Sequence, residues 1–298
     1  MRFIHIFFIL SLWSTVTFAS SESPFPPILS LPWLKKHIQD KDLIIVDVRD
    51  KAQYQKGHIR NAINIPANSK LFAGRKLLMP KLSVLQNIFS QAGIRENSTV
   101  VAYDGGVFYL ATRLQWLLKV MGHRKAAILN VSYGNWKKGE IPTDTRIPHI
   151  HPSVFVPRVN NQMIATKLDV LTSLGKVTLI DGRRESDYQG ITSSAKRFGH
   201  IPTALNYPSS LTYIQTPLGN KIKNWSRLQT LFKHLDKNTK VILYCDDSAE
   251  AAMDGMILNY LGYRTRVYEG SWLEWGNDSK LPIVNPSKQK KDRYDEKP

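Results

Sequence analysis

Four short apolar runs recur along the chain, rich in β-branched side chains and without alternation of apolar and polar positions. They lie at residues 43–46, 100–103, 177–180 and 241–244. Such runs are typical of strands that are buried on both faces of a parallel sheet, because a half-exposed strand would alternate. The pattern therefore predicts central strands of buried sheets.

Segments with helical spacing separate these runs. In one of them Leu110, Leu114, Leu117 and Met121 recur every three or four residues, and Gly122 is placed to end the helix. Strands that alternate with helices predict βαβ units. The predicted fold class is α/β, with parallel sheets that carry helices on both faces.

The chain contains an internal repeat. Residues 43–66, LIIVDVRDKAQYQKGHIRNAINIP, match residues 177–208, VTLIDGRRESDYQGITSSAKRFGHIPTALNYP, which carry an insertion before Gly-His-Ile. Residues 99–123 match residues 240–263 in the same way. Because the matching stretches keep their order, the sequence predicts a tandem duplication.

The repeat predicts two domains of similar length. We expect an N-terminal domain over residues 25–144 and a C-terminal domain over residues 159–285, each long enough to bury a core. Residues 145–158 contain three prolines that break both periodicities, which predicts a linker. Residues 286–298 contain Lys, Asp and Glu with little apolar content, which predicts a disordered basic tail.

The first residues have the features of an export signal. Met1 and Arg2 precede an apolar run, and the small residues Thr17 and Ala19 stand at the −3 and −1 positions of a cut after Ala19. The sequence predicts a signal peptide over residues 1–19, cut near Ala19, and hence a periplasmic or secreted protein. The apolar run is shorter than the roughly 20 residues of a spanning helix, so we expect no stable membrane insertion.

Basic residues outnumber acidic ones, with 41 Lys and Arg against 24 Asp and Glu and a net charge of +17. An excess of this size is compatible with a nucleic-acid partner. The basic residues are scattered outside the Lys-rich tail, however, and an exported protein meets little nucleic acid. We therefore expect a solvated basic surface, no nucleic-acid partner and a monomer.

The single cysteine, Cys245, directly follows the predicted strand 241–244 and precedes a helix-forming stretch. No intramolecular disulfide can form. In parallel sheets, reactive groups collect at the carboxyl ends of the strands, where the backbone amides of the following loop can bind anions. We expect a solvent-reachable sulfur cradled by main-chain amides, which makes Cys245 the candidate nucleophile. An inert buried thiol is the alternative.

Motifs that occur in both copies resemble those of the rhodanese family, the thiosulfate and 3-mercaptopyruvate sulfurtransferases with two domains. Asp-x-Arg follows a strand at residues 47–49 and 181–183, and Gly-His-Ile occurs at residues 57–59 and 199–201. The resemblance covers nearly the whole mature chain and implies two rhodanese-like domains. It also implies sulfur transfer through a Cys245 persulfide, without a metal or cofactor.

The same resemblance implies that only the second copy is active, since Asp104 takes the place of cysteine in the first copy. Asp181 is predicted to support the site through an ion pair with Arg183, which orders the loop. The residues predicted to contact substrate, several of them through loop amides, are Asp246, Asp247, Ser248, Ala249, Glu250, Arg183 and Asp187.

The loop departs from the family pattern, in which basic or small residues follow the cysteine and glycine takes the fourth position. Asp246, Asp247 and Glu250 place negative charge there, and Asp187 stands where the family places a substrate-binding Arg. Carboxylates within several Å oppose a thiolate and repel anions. We expect a less acidic thiol and a donor other than a small dianion, such as a polysulfide or a protein persulfide, with a thiol or a cyanide-like molecule as acceptor.

The sequence leaves two functions open. The chain is either a sulfurtransferase of this kind or a catalytically weak rhodanese-like module that binds a partner or senses sulfur in the cell envelope. A cysteine phosphatase is excluded, because its loop needs an Arg six residues after the cysteine, where Ala251 stands.

Overall fold

The structure, a computed structural model, describes residues 25–288 except residues 76, 133, 135–137, 139 and 140. Within that part of the chain, each half contains a five-stranded sheet whose neighbouring strands are all parallel. The predicted α/β class is confirmed. The predicted signal peptide, residues 1–19, and residues 289–298 of the predicted tail lie outside the described residues.

The strands of the first half are β1 (Ile28–Leu29), β2 (Leu43–Asp47), β3 (His58–Ile59), β4 (Ile63–Asn64), β5 (Thr99–Tyr103), β6 (Ala126–Leu129) and β7 (Thr143–Asp144). Those of the second half are β8 (Ile164–Ala165), β9 (Thr178–Asp181), β10 (Leu205–Asn206), β11 (Tyr213–Thr216), β12 (Gly219–Ile222), β13 (Val241–Tyr244) and β14 (Thr265–Tyr268). The four apolar runs of the sequence form β2, β5, β9 and β13.

Helices on both faces connect these strands. In the first half they are α1 (Leu31–His37), α2 (Lys51–Gln55), α3 (Ala67–Lys70), α4 (Leu82–Gln91) and α5 (Tyr109–Val120). In the second half they are α6 (Lys167–Ser173), α7 (Glu185–Tyr188), α8 (Trp225–Phe232), α9 (Ala249–Tyr260) and α10 (Ser271–Trp275), with 3-10 turns at Asn161–Met163 and Ser209–Thr212.

The helix ends follow local chemistry. Thr166 and Asp169 form a capping box that starts α6, and the Asn224 side chain caps α8 by accepting a hydrogen bond from the Arg227 N–H group. Helix α5 ends before Gly122, whose φ of 89° is available to glycine at little cost, as the sequence predicts.

The two sheets have the same strand order, β1-β6-β5-β2-β4 in the first half and β8-β14-β13-β9-β10 in the second. Their registers also correspond, because Asp47 pairs with Tyr103 in one sheet and Asp181 pairs with Tyr244 in the other. Both pairs lie at the carboxyl ends of central strands. The duplication seen in the sequence is therefore a duplication of architecture.

One continuous cluster of buried apolar side chains contains residues of both halves, including Leu114 and Leu117 of α5 and Met253 and Ile257 of α9. Helices α5 and α9 pack directly against each other. Two further clusters cover the other faces of the sheets. The start of α9, which follows Cys245, therefore lies where the two halves meet.

The β11–β12 hairpin of the second half also contacts the first half. The Ile222 N–H group donates to Asn130 Oδ1 at 2.9 Å, and Asn220 Nδ2 donates to the Gly106 carbonyl at 3.0 Å. This hairpin therefore fixes the loop of the first copy that corresponds to the Cys245 loop.

Residues 145–160, which include the predicted linker, contain neither helix nor strand. At the start of the predicted tail, the Ser287 N–H and hydroxyl groups donate to the Gln189 carbonyl at 3.1 and 2.7 Å, so ordered contacts extend past Pro286. No helix among the described residues has both the length and the apolar character that crossing a membrane requires.

Candidate active site

Cys245 lies at the carboxyl end of β13, before the start of α9, as the sequence predicts. Its exposure differs from the expectation. The residue is 1% exposed and belongs to the buried cluster shared by the two halves, so the prediction of a solvent-reachable sulfur was wrong. The first turn of α9 is buried because the helix packs against α5 of the other half, a contact that the local sequence does not reveal.

Helix α10 holds the backbone at the start of the loop. The Cys245 N–H group donates to Ser271 Oγ at 3.3 Å, and the Cys245 carbonyl accepts from the Trp272 N–H group at 2.9 Å. The next carbonyl, of Asp246, accepts from the Leu273 N–H group at 3.0 Å. These bonds fix the direction in which the chain leaves β13.

The Cys245 thiol faces negative charge. Its Sγ lies 3.9 Å from Asp247 Oδ1, an oxygen that also accepts from the Ala249 N–H group at 3.1 Å. Burial raises the pKa of the thiol well above its usual value, Asp247 and Glu250 raise it further, and the Ala251 N–H group opposes them. The direction agrees with the less acidic thiol expected from the sequence.

The other acidic residues of the loop are close enough to influence one another. Burial, Asp246 and Asp247 raise the pKa of Glu250 to about 7, and Arg184 opposes them. Burial also raises the pKa of Asp246, whose carboxylate accepts a hydrogen bond from the Ser194 hydroxyl. Ser194 belongs to the insertion of the second copy, so this insertion contacts the predicted site.

Asp187 belongs to the same acidic surroundings. It is buried in α7, where its Oδ1 accepts from Thr192 Oγ1 at 2.6 Å and its Oδ2 lies 3.7 Å from Arg184 Nε. Its charge contributes to the raised pKa of Asp246 and of Glu250. Among the described residues, no group of three or more His, Cys, Asp or Glu side chains is arranged to hold a metal ion.

Arg183 and Asp181 form a buried ion pair. Arg183 Nη2 lies 2.6 Å from Asp181 Oδ2 and donates to the Gly199 carbonyl at 2.8 Å, and the guanidinium carbon lies 4.3 Å from the centre of the Trp272 ring. Burial opposes the charge of Arg183, but Asp181 outweighs it and raises the pKa of the guanidinium. The first copy repeats the arrangement, with 2.6 Å between Arg49 Nη2 and Asp47 Oδ2.

Ser248 occupies the fourth loop position in a left-handed conformation, with φ at 72°. Such a conformation costs a residue with a side chain about 1 to 2 kcal/mol, which explains the glycine of the family pattern. The Ser248 hydroxyl is buried and accepts from Nη1 of Arg113, a residue of the first half, at 2.7 Å. The loop after Cys245 is thus held by both halves of the chain.

Asp104 occupies the corresponding position of the first copy, at the end of β5. Its carboxylate accepts from the backbone N–H groups of Gly106, Val107, Phe108 and Ala111 at 2.9 to 3.2 Å. Burial raises the pKa of Asp104, and these bonds oppose it. The loop of the first copy is therefore an anion site that the chain fills with its own side chain.

Two buried charged residues near the site were not predicted from the sequence. Arg113 is fully buried in α5, and Asp254 is buried in α9, where its Oδ2 accepts from Ser209 Oγ at 2.6 Å. Burial raises the pKa of Asp254 well above its usual value. The available signal was a charged residue among apolar neighbours in the middle of a helix, which indicates a buried polar contact but does not identify the partner.

Comparison with known proteins identifies the domain type. Residues 30–139 and 165–278 each match the family described as rhodanese-like domain. A putative thiosulfate sulfurtransferase of Synechococcus elongatus is 29% identical, over 91% of this chain and 88% of that protein. The 3-mercaptopyruvate sulfurtransferase of Escherichia coli K12 is 24% identical, over 84% of this chain and 95% of that protein.

Solved structures share the architecture. The crystal structure of SseA from Escherichia coli, described as a rhodanese fold, superposes with a TM-score of 0.72 at 22% identity and covers 83% of this chain and 98% of SseA. The anaerobic ergothioneine biosynthesis enzyme of Chlorobium limicola, solved with trimethyl histidine, gives a TM-score of 0.74 at 16% identity, over 87% of this chain and 70% of that enzyme. At these identities the likeness supports the fold alone.

Proposed function

The chain belongs to the rhodanese family, with one rhodanese-like domain in each half, and we propose that it is a sulfurtransferase that carries sulfane sulfur as a persulfide on Cys245. The observation that carries the proposal is the position of this cysteine, at the strand-to-helix turn of the second copy. Curated relatives that match most of the chain are named sulfurtransferases, which supports the same activity.

The proposed reaction has two displacement steps. The Cys245 thiol loses its proton, for which Asp247 Oδ1 is a nearby acceptor. The thiolate then attacks the sulfane sulfur of the donor, so that a sulfur–sulfur bond of the donor breaks and its remainder leaves with the bonding electrons. In the second step a thiol or cyanide-like acceptor attacks the outer sulfur, the persulfide bond breaks, and the Cys245 thiolate is regenerated.

The donor that we propose is not a small dianion. Asp187, Asp246, Asp247 and Glu250 surround the loop with carboxylates. Of the two arginines that oppose them, Arg184 is largely exposed and Arg183 is already paired with Asp181. A dianion such as thiosulfate would approach against this charge. The two charges of a polysulfide lie at opposite ends of its sulfur chain, and a protein persulfide carries at most one charge on its sulfur, so either is a better donor for this site than a compact dianion.

The burial of Cys245 favours a second candidate, a catalytically weak rhodanese-like module that binds a partner or senses sulfur. With 1% of the residue exposed, a donor reaches the sulfur only when the residues above it move. If the residues that cover the sulfur move slowly, turnover is limited and binding of a partner or a sulfur compound is the main activity.

Mass spectrometry of the intact chain separates the two candidates. The protein and a Cys245→Ser variant are incubated with thiosulfate, mercaptopyruvate or polysulfide, and then with cyanide. A sulfurtransferase gains the mass of one sulfur atom, most readily from polysulfide, and loses it to cyanide, whereas the variant gains none. An unchanged mass with every donor contradicts the proposed activity and leaves the binding module.

The proposed setting is the periplasm or the extracellular space. It is supported by the predicted signal peptide over residues 1–19. N-terminal sequencing of the exported protein tests it, with a first residue at or near Ser20 as the expected result and an intact Met1 as the contrary one.

A further inference from the structure

Arg113 joins the inactive copy to the loop of the active copy. Its Nη1 donates to Ser248 Oγ at 2.7 Å, its Nη2 to Glu269 Oε1 at 2.8 Å, and its Nε to the Leu71 carbonyl at 3.3 Å. The side chain is fully buried. The guanidinium therefore fixes segments of both halves at one point.

The contact reaches the thiol through a short chain of groups. The Ser248 hydroxyl accepts from Arg113 and donates to the Asp247 carbonyl. Asp247 in turn presents Oδ1 to the Cys245 sulfur at 3.9 Å. A change in the orientation of Ser248 would thus be transmitted to the carboxylate that faces the sulfur.

The identity of Ser248 is explained by this contact. Its φ of 72° suits glycine better than serine, yet glycine has no hydroxyl to offer Arg113. In the first copy the residue that directly precedes the helix is Phe108, also left-handed with φ at 70°, and its side chain cannot make such a bond. The hydrogen bond between Arg113 and Ser248 is therefore a feature of the loop that carries the cysteine.

We propose that Arg113 is a positioning residue for sulfur transfer, which acts from the inactive domain by holding Ser248 and, through it, the Cys245 loop. The inference rests on the proposed function. A lysine could not replace the arginine, because a single ammonium lacks the planar fork that reaches Ser248 and Glu269 together.

The test compares four variants of the full chain: Arg113→Lys, Ser248→Gly, the double variant, and Arg49→Lys as the control. Arg49 is a buried arginine of the same half that pairs with Asp47, so its replacement costs stability without touching the Cys245 loop. Ser248→Gly removes the hydroxyl but also relieves the left-handed strain, so this variant is expected to fold.

Steady-state kinetics with polysulfide and cyanide give the first readout. Arg113→Lys and Ser248→Gly are each expected to lower kcat about tenfold, equivalent to about 1.4 kcal/mol, with little change in KM. The double variant is expected to lose no more than either single variant, because both changes break one contact. A wild-type kcat in Ser248→Gly, or losses that multiply in the double variant, would overturn the proposal.

Amide hydrogen exchange of the peptide that contains residues 245–250 gives a readout independent of catalysis. Exchange is expected to be faster in Arg113→Lys and Ser248→Gly than in wild type and Arg49→Lys. Equal exchange in these two variants, wild type and Arg49→Lys contradicts the positioning role even if activity changes. If wild type forms no persulfide, the proposed function fails, and the exchange result still decides whether Arg113 holds the loop.

Discussion

Asp104 and Cys245 occupy equivalent positions, at the carboxyl ends of β5 and β13, but their surroundings are opposite in charge. The Asp104 carboxylate accepts backbone hydrogen bonds from Gly106, Val107, Phe108 and Ala111. The Cys245 thiol faces the Asp247 carboxylate at 3.9 Å. Duplication has therefore left one loop that accommodates a fixed anion and another that opposes an anionic sulfur.

Asp104→Asn is expected to lower the free energy of unfolding by about 2 kcal/mol, because an amide group cannot accept every bond that the carboxylate accepts and leaves buried donors unpaired. Urea denaturation measures the change. Asp236→Asn, at an exposed turn, is the control and should change stability little. An unchanged midpoint for Asp104→Asn would contradict the anion-site interpretation of this loop.

Asp247→Asn is expected to make the Cys245 thiol more acidic, because Asp247 is the leading electrostatic cause, after burial, of its raised pKa. The rate of alkylation by a small neutral reagent at pH 7 should rise about tenfold, as expected for removal of a charge worth about 1 to 4 kcal/mol at this distance. The measurement is the pH profile of alkylation. A profile that does not move toward lower pH contradicts the prediction.

Glu250→Gln is expected to stabilise the protein at neutral pH but not at low pH. The pKa of Glu250 is about 7 in the folded chain, above the ordinary value of 4.5. The stability that Glu250 contributes in its protonated form is therefore fully present below pH 4.5 and is lost as the pH rises through 7.

The glutamine variant mimics the protonated carboxyl group and avoids this loss. The difference in unfolding free energy between the variant and wild type should grow to about 3 kcal/mol above pH 7. Denaturation at pH 4.5, 6 and 8 measures it. A difference that is constant across this range would exclude Glu250 as its source.

Variants of the two buried Asp–Arg pairs distinguish a role in protein stability from a role in sulfur transfer. Asp47→Asn and Asp181→Asn should each destabilise the chain by about 3 kcal/mol or more, because each leaves a buried guanidinium without its carboxylate. Only Asp181→Asn should also slow persulfide formation, since Arg183 contacts Trp272 beside the Cys245 loop. Equal rates of persulfide formation in the two variants would argue against a role for Arg183 in ordering the site.

Much of the architecture could be predicted from the sequence because its determinants are local. Apolar runs without alternation predicted β2, β5, β9 and β13, and the internal repeat predicted two copies of one sheet. The acidic loop predicted a thiol of raised pKa, because the charges that act on it lie within five residues of Cys245. These properties depend on neighbours in the sequence.

The burial of Cys245 and the role of Arg113 could not be predicted because they depend on how the two halves pack. Arg113 is 135 residues from Ser248, and Asp254 is 45 residues from Ser209. A charge within an apolar helix signals that a partner exists, but the fold selects that partner. Only the packing of α5 against α9 shows why the sulfur is covered.

Each half supplies a contact that the loop of the other half requires. Arg113 of the first half holds Ser248, and Asn220 of the second half holds Gly106. Because each half holds a loop of the other and both contribute to one buried apolar cluster, we expect the two halves to unfold together. The cysteine-bearing half by itself would expose the shared apolar core and lose the contact with Arg113, which gives a physical reason for retaining a copy that has no cysteine.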